Sequence, residues 1–338
     1  MISATRKKGD KMAQAPGKNF RKGLTIIDLT EMFPNEKSAR EWFESLVWPE
    51  GRKCPHCGSD RTHEASHGNM PYWCTDCRSY FSVKTGTVME KSPLPFRKWV
   101  LAIYLHMTSL KGVSSMKLHR DIGVTQKTAW FMLQRIREAF KRDDDDEPPM
   151  GGPVEVDETF VGGTVRNMSN AKRRERKEAG VGSGTTDMTA VVGAKCRVSN
   201  EVRAEVVETR DKVTLQGFIA DHAATDAKVY TDDHGAYAGM PFDHETVNHS
   251  AAEYVRDMAH TNGIESFWAV LKRAHKGVYH KFSVKHLQRY VTDFAGRHNV
   301  RTKDTLSQME FIVAGMVGKR LTYKALKADN GLPSGARK

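Results

Sequence analysis

No apolar run in this 338-residue chain approaches the roughly 18 residues that a membrane-crossing helix needs. The first residues are basic and polar and lack the apolar stretch of a secretory signal. The expectation is therefore a cytoplasmic protein with no membrane partner. No internal repeat and no sustained heptads are visible, which excludes a solenoid and gives no coiled-coil route to assembly. Cysteine is scarce, with five in all, too few for a disulfide-stapled secreted fold. Acidic residues are outnumbered, 41 against 53 Lys and Arg.

That charge imbalance is uneven. Residues 1–142 carry a net +12, Asp143–Glu147 carry −5, and the remainder carries +5. A basic front half fits a polyanionic partner, because neutralising phosphates releases their counterions. Many soluble proteins are also basic, so charge alone leaves nucleic acid as one option among others.

Residues 1–34 read as a basic tail without order. Between Asn35 and Leu46, the apolar residues Ala39, Trp42, Phe43 and Leu46 recur at helical spacing. Residues 35–92 thus combine a short helix with the cysteine-bearing segment. Residues 93–142 carry helical patterns at Trp99, Val100, Ile103 and Met107, then around Met116, Leu118 and Ile122, then from Thr125 to about Phe140. An acidic, proline-containing linker follows at 143–150. Strand patterns come next, at Val154–Val161, Met188–Val198 and Glu201–Glu208, with Ser199-Asn200 as a tight hairpin. A helix near 212–222, a strand at Lys228–Thr231 and helices around 262–274 and 283–299 complete an α/β domain with a mixed sheet. The Lys-, Arg-, Gly- and Ser-rich stretch 166–187 reads as a mobile loop, and 301–338 as a C-terminal helical and polar tail.

The cysteines form two CxxC knuckles, Cys54/Cys57 and Cys74/Cys77, separated by sixteen residues. Four thiolates close a tetrahedral shell around zinc, so the site is read as structural. A redox dithiol needs only one such pair. Arg61 and Arg78 flank the knuckles as phosphate-binding candidates, whereas Cys196 sits in an apolar strand as a buried small residue.

Ser114–Phe140 has the layout of a helix-turn-helix, with Gly123 at the turn. Thr125, Gln126 and Lys127 would then open the recognition helix and meet the major groove. An ordinary helical hairpin is the alternative.

The most informative string is Val154-Glu155-Val156-Asp157-Glu158-Thr159. Strand alternation puts Glu155, Asp157 and Thr159 on one face, and acids inside an apolar strand need a cation or a partner. A second acid, Asp232, ends the strand Val229-Tyr230-Thr231. Two or three carboxylates on neighbouring strands can hold magnesium. For the third acid, Glu265 opens a helix at Asn262-Gly263-Ile264-Glu265, and Asn262 with Glu265 can equally be a capping box. Lys272 and Arg273 follow two turns later as phosphate contacts.

Taken in order, the knuckles, Thr85-Gly86-Thr87, the Val-Asp-Glu-Thr-Phe-Val-Gly-Gly string, Tyr230-Thr231-Asp232 and His260-Thr261-Asn262-Gly263-Ile264-Glu265-Ser266-Phe267-Trp268 resemble the zinc-ribbon transposases of bacterial insertion sequences, the ISXO-like group. The resemblance implies an RNase H-like domain over 151–300 with a DDE triad of Asp157, Asp232 and Glu265. Asn262 and His260 are alternatives for the third position. It also implies structural Zn2+, catalytic Mg2+ or Mn2+, double-stranded DNA as partner, a homo-oligomer pairing two DNA ends, and cleavage followed by strand transfer of a 3′-hydroxyl. A nuclease without strand transfer and a transposase-derived DNA-binding regulator are the competing functions. The basic cluster Lys172, Arg173 and Arg174, with Arg176 and Lys177, becomes a candidate DNA contact beside its reading as a solvated charge run.

Overall fold

A computed structural model of the protein describes residues 23–141, 148–162, 168–179, 188–247 and 260–334, without the side chains of Lys172 and Arg176. The first 22 residues and most of the acidic linker lie outside it. No helix among the described residues is long and apolar enough to cross a membrane.

The chain becomes regular earlier than its composition suggests. Helix α1, Ile26–Met32, begins with a reciprocal cap between Thr25 and Asp28, and Leu29 and Phe33 are buried. This corrects the reading of 1–34 as a tail throughout: the local cap and two apolar anchors order its end. Helix α2, Glu36–Val47, is capped by Asn35 and Ser38 and buries Ala39 and Phe43, as its spacing predicts. Three short antiparallel strands follow, β1 (Thr62–Glu64), β2 (Tyr72–Cys74) and β3 (Ser79–Phe81). Tyr72 Oη donates to Glu44 at 2.6 Å and Trp48 meets the Tyr72 ring edge-on, which fixes this small sheet to α2.

Helices α3 (Phe96–Thr108), α4 (Ser115–Ile122) and α5 (Gln126–Glu138) form the expected helical segment. Gly123 ends α4 at φ 61°, and Thr125 caps α5. The supposed C-terminal tail contains α10 (Thr305–Gly315) and α11 (Tyr323–Lys327), and α10 is part of this core. Met309, Ile312, Val313 and Met316 pack with Trp99, Ile103 and Leu133. Each such side chain contributes on the order of 1.5–3 kcal/mol on burial, so the last segment holds the first helices together.

The second body is a five-stranded mixed sheet in the order β6-β5-β4-β7-β8. Strands β4 (Val154–Val161), β5 (Thr189–Cys196) and β6 (Val202–Val207) form an antiparallel meander. Strands β7 (Lys228–Asp232) and β8 (Asp243–Val247) run parallel to β4. This is the mixed sheet expected of an RNase H-like domain. Asn200 makes the hairpin turn at φ 58°. Strand β8 has no sequence signature: only Val247 of its five residues is buried. Helix α7 (Lys212–His222) covers one face through Leu215, Phe218 and Ile219, over Val154, Val156 and Val229. Helices α8 (Asn262–Ala274) and α9 (Val284–Asn299) cover the other through Ile264, Phe267, Trp268 and Val291. Within the predicted loop 166–187, residues Asn170–Glu178 form helix α6. It lacks any apolar residue but Ala171, which is why apolar periodicity missed it.

The two bodies meet on a buried carboxylate. Asp293 of α9 lies 2.8 Å from His106 Nε2, 3.1 Å from Arg137 Nε and 2.9 Å from Arg297 Nε. Burial alone would raise its pKa; Arg297, His106 and Arg137 more than offset this and hold the carboxyl well below its usual range.

Candidate active site and metal centres

The four knuckle cysteines converge. Their sulfurs lie within 4.8 Å of one another, with Cys54–Cys77 and Cys57–Cys74 each at 3.6 Å. Each knuckle ends in a left-handed residue, Gly58 at φ 78° and Arg78 at φ 53°, so the turns are equivalent although only one has glycine. Burial pushes the Cys54 thiol up to about 12, whereas backbone N–H groups draw Cys74 down to about 7. A divalent cation favours all four thiolates, and the tetrad has the donor set of a closed zinc site. His56 and His63 are not in the cluster.

Asp157 and Asp232 come from adjacent parallel strands. Glu155 is paired with Tyr230, and each acid stands two residues further along its strand. Their carboxylate oxygens, with one from Glu158, lie within 4.8 Å of one another. Glu158 was missed by alternation, which assigns it to the opposite face with Val154 and Val156. Its Oε2 accepts from Tyr237 Oη at 2.7 Å, and Tyr237 belongs to the 3-10 turn Gly235–Tyr237 just beyond β7. Glu158 Oε1 and Asp232 Oδ1 are buried with no hydrogen-bond partner.

Crowding shows in the proton affinities. Burial, then the charges of Asp232 and Glu158, push the Asp157 carboxyl up to about 7. Glu265 adds a smaller contribution of the same sign, so it lies within electrostatic reach of Asp157. Glu158 is also raised, chiefly by burial. Clustered carboxylates with orphaned oxygens are costly unless a cation joins them, and all-oxygen donors suit a hard ion such as Mg2+ or Mn2+.

The third position is clarified by the start of α8. The N-cap is Thr261, with no side-chain cap hydrogen bond, so Asn262 is the first helical residue. The capping-box alternative therefore does not hold. Thr261 Oγ1 donates to Glu265 Oε1 at 3.1 Å, and Glu265 stands on the exposed face of the first turn. It is not in the close acidic cluster. Asn262 is exposed beside it. His260 is turned elsewhere, with Nδ1 3.2 Å from Glu155 Oε1.

The remaining basic and polar candidates have varied surroundings. Arg61 pairs with Asp76 at 2.8 Å, and Arg78 is exposed. At the tip of α5, Thr125 caps the helix, Gln126 donates to Ser115 at 2.8 Å, and the Lys127 ammonium lies 4.8 Å above the Tyr323 ring. Only this tip is exposed as a recognition helix would be; Met132–Glu138 are buried against the rest of the protein. Arg173 and Arg174 are exposed on α6, while the Lys172 side chain lies outside the described residues. Lys272 and Arg273 share the exposed face of α8 with Asn262, Glu265 and Ala269.

Comparisons with known proteins agree with this layout. Residues 34–80 match the transposase zinc-ribbon domain, and residues 149–299 match the ISXO2-like transposase domain. The chain is also 28% identical over 283 residues to an uncharacterized protein in transposable element ISH50 of Halobacterium salinarum, covering 80% of this chain and 93% of that one. In order along its length, the chain therefore carries a transposase zinc-ribbon domain and an ISXO2-like transposase domain.

Proposed function

We propose that the protein cleaves DNA at the ends of an insertion sequence and joins the freed 3′-hydroxyl to target DNA, using Asp157, Asp232 and Glu265. The observation that carries this reading is the convergence of Asp157, Glu158 and Asp232 oxygens within 4.8 Å, with Asp232 Oδ1 and Glu158 Oε1 lacking any other partner. Asp157 and Asp232 would hold the ions from the sheet, and Glu265 from α8. Divalent ions bound there supply charge that activates the attacking oxygen and stabilises the leaving one. In the joining step a new P–O bond forms between the 3′-hydroxyl oxygen and the target phosphorus as the target's P–O3′ bond breaks; the attacking hydroxyl gives its proton to solvent, and the departing 3′-oxygen takes one up from it.

The residues around the acids serve positioning. Tyr237 holds one oxygen of Glu158, which restricts that carboxylate, and its other, buried oxygen has no hydrogen-bond partner. Lys272 and Arg273, on the same exposed helix face as Glu265, continue the site with positive charge suited to a DNA backbone. The tip of α5, the zinc ribbon and α6 add further basic contacts. Pairing two DNA ends calls for a homo-oligomer on DNA.

Incubating the protein with end DNA, target DNA and Mg2+ tests the reading. Joined products that disappear in Asp157→Asn and Glu265→Gln support strand transfer, whereas cut ends without joined products favour the nuclease. Binding that persists in Asp157→Asn and weakens steeply with salt, with a log–log slope near −0.9 per neutralised phosphate, separates recognition from chemistry.

A further inference from the structure

Glu155 is a buried acid that the metal cluster does not use. It is 2% exposed and stands two residues before Asp157 on the same strand face. Its Oε2 accepts the backbone N–H of Ile264 in the first turn of α8 at 3.0 Å. Its Oε1 accepts from Arg197 Nε at 2.8 Å and lies 3.2 Å from His260 Nδ1. Arg197 in turn donates to the His260 carbonyl and stacks 4.1 Å from the centre of the Tyr230 ring, the residue paired with Glu155 across the sheet. Lys195 Nζ donates to the Gly263 carbonyl at 3.3 Å.

The fit between this cluster and α8 is close. A Cβ at Gly263 would come within 2.6 Å of Glu155 Oε2 and 2.9 Å of Lys195 Nζ. A second dovetail lies one strand away. Gly193 is the cross-strand partner of Asp157, and a Cβ there would come within 2.6 Å of the Trp268 ring. Helix α8 is thus seated at two points flanking Asp157, one polar and one aromatic. Glu265 lies one residue past Ile264, the residue whose N–H Glu155 holds.

We infer that Glu155 is a positioning residue: by gripping the Gly263–Ile264 backbone it sets α8 against the sheet and thereby aims Glu265 at the ion held by Asp157 and Asp232. A buried ion pair adds little net stability over an apolar packing of the same volume, whereas a carboxylate gripping a helix N-terminus fixes its place and suits its positive dipole end. The inference rests on reading Glu265 as a metal-holding acid.

The test uses the full chain without DNA and reads two quantities. Mn2+ affinity is measured by calorimetry, and backbone hydrogen exchange is followed at the start of α8. Glu155→Gln keeps an acceptor for Ile264 but loses the charge; Gly263→Ala keeps every charge but sets a methyl group against the Glu155 carboxylate. Both are expected to speed exchange over 262–266 and to weaken Mn2+ roughly 10-fold, the loss typical when a group supporting a ligand is removed. The double variant Glu155→Gln/Glu265→Gln is expected to bind Mn2+ as Glu265→Gln does, because Glu155 acts through Glu265. Unchanged exchange in both single variants overturns the inference, and so do additive losses in the double variant. Faster exchange with Mn2+ affinity unchanged, while Glu265→Gln weakens it, makes Glu155 merely structural and also overturns it. If neither Asp157→Asn nor Glu265→Gln alters Mn2+ binding, the metal-site reading itself has failed, and the role assigned to Glu155 falls with it.

Discussion

Asp157 and Asp232 meet because each stands two residues beyond Glu155 and Tyr230, which are paired in parallel register. The acids are separated by 75 positions in sequence, yet one ladder fixes them both. A slip of one residue would turn one carboxylate to the far face, so the site depends on the sheet register as much as on the acids.

Relief of that crowding gives a first prediction. Without metal, Asp157→Asn removes the most strongly perturbed acid of the cluster, and the variant should melt at a higher temperature than the wild type. Mg2+ should raise the wild-type melting temperature, equivalent to about 2.7 kcal/mol at a hundredfold excess over Kd, and leave the variant nearly unmoved. Paired calorimetric scans with and without Mg2+ check both points.

The ribbon should carry one zinc ion per chain, countable by atomic absorption. Cys74→Ser removes a buried ligand and should release it. Near-UV circular dichroism should then change through Trp48 and Tyr72, whose rings meet at 5.6 Å, while the α/β sheet keeps its secondary structure.

Packing beside Asp157 leaves no room for a methyl group at Gly193, where a Cβ would come within 2.6 Å of Trp268. Gly193→Ala should destabilise the protein by about 1–3 kcal/mol, read as a lower urea midpoint. Gly217→Ala is the control, since nothing lies within 4 Å of a Cβ there; in mid-helix it should be neutral or stabilising.

His298 supplies a pH dependence. Burial, reinforced by Arg301 and Lys195, lowers its pKa from 6.5 to about 3. The folded protein therefore binds fewer protons than the unfolded chain below pH 6.5, and the stability that neutral His298 provides is full above that pH. It is lost as pH falls from 6.5 toward 3, at up to about 1.4 kcal/mol per pH unit. Urea midpoints measured from pH 7 to 4 should fall less steeply for His298→Gln.

Local chemistry made much of this legible in sequence. Two CxxC knuckles announce a tetrahedral site whatever surrounds them, and Asp157 stands out because an acid in a valine-rich strand needs a reason. Periodicity also found α2, α5, α7 and the β4–β6 meander. What escaped depends on distant partners. Strand β8 and helix α6 lack an apolar stripe, so nothing local marks them. Glu158 enters the cluster because Tyr237, 79 positions away, holds it. Gly263 looks unremarkable alone, and strand alternation shows that Glu155 needs a partner without saying which; both acquire meaning only where α8 docks on β4. The end of the chain looked like a tail because its polar residues outnumber the few apolar ones that α10 buries.

The most direct test of the central claim replaces Asp157 and Asp232 by cysteine, one at a time, and measures strand transfer in Mg2+ and in Mn2+. A thiolate is a poor ligand for hard Mg2+ and a better one for Mn2+. Both variants should lose joining in Mg2+ by about a hundredfold or more, as misplacing a catalytic group does, and regain part of it in Mn2+. Wild-type joining by either variant in Mg2+ would contradict the assignment of these two carboxylates as the ligands of the catalytic ions.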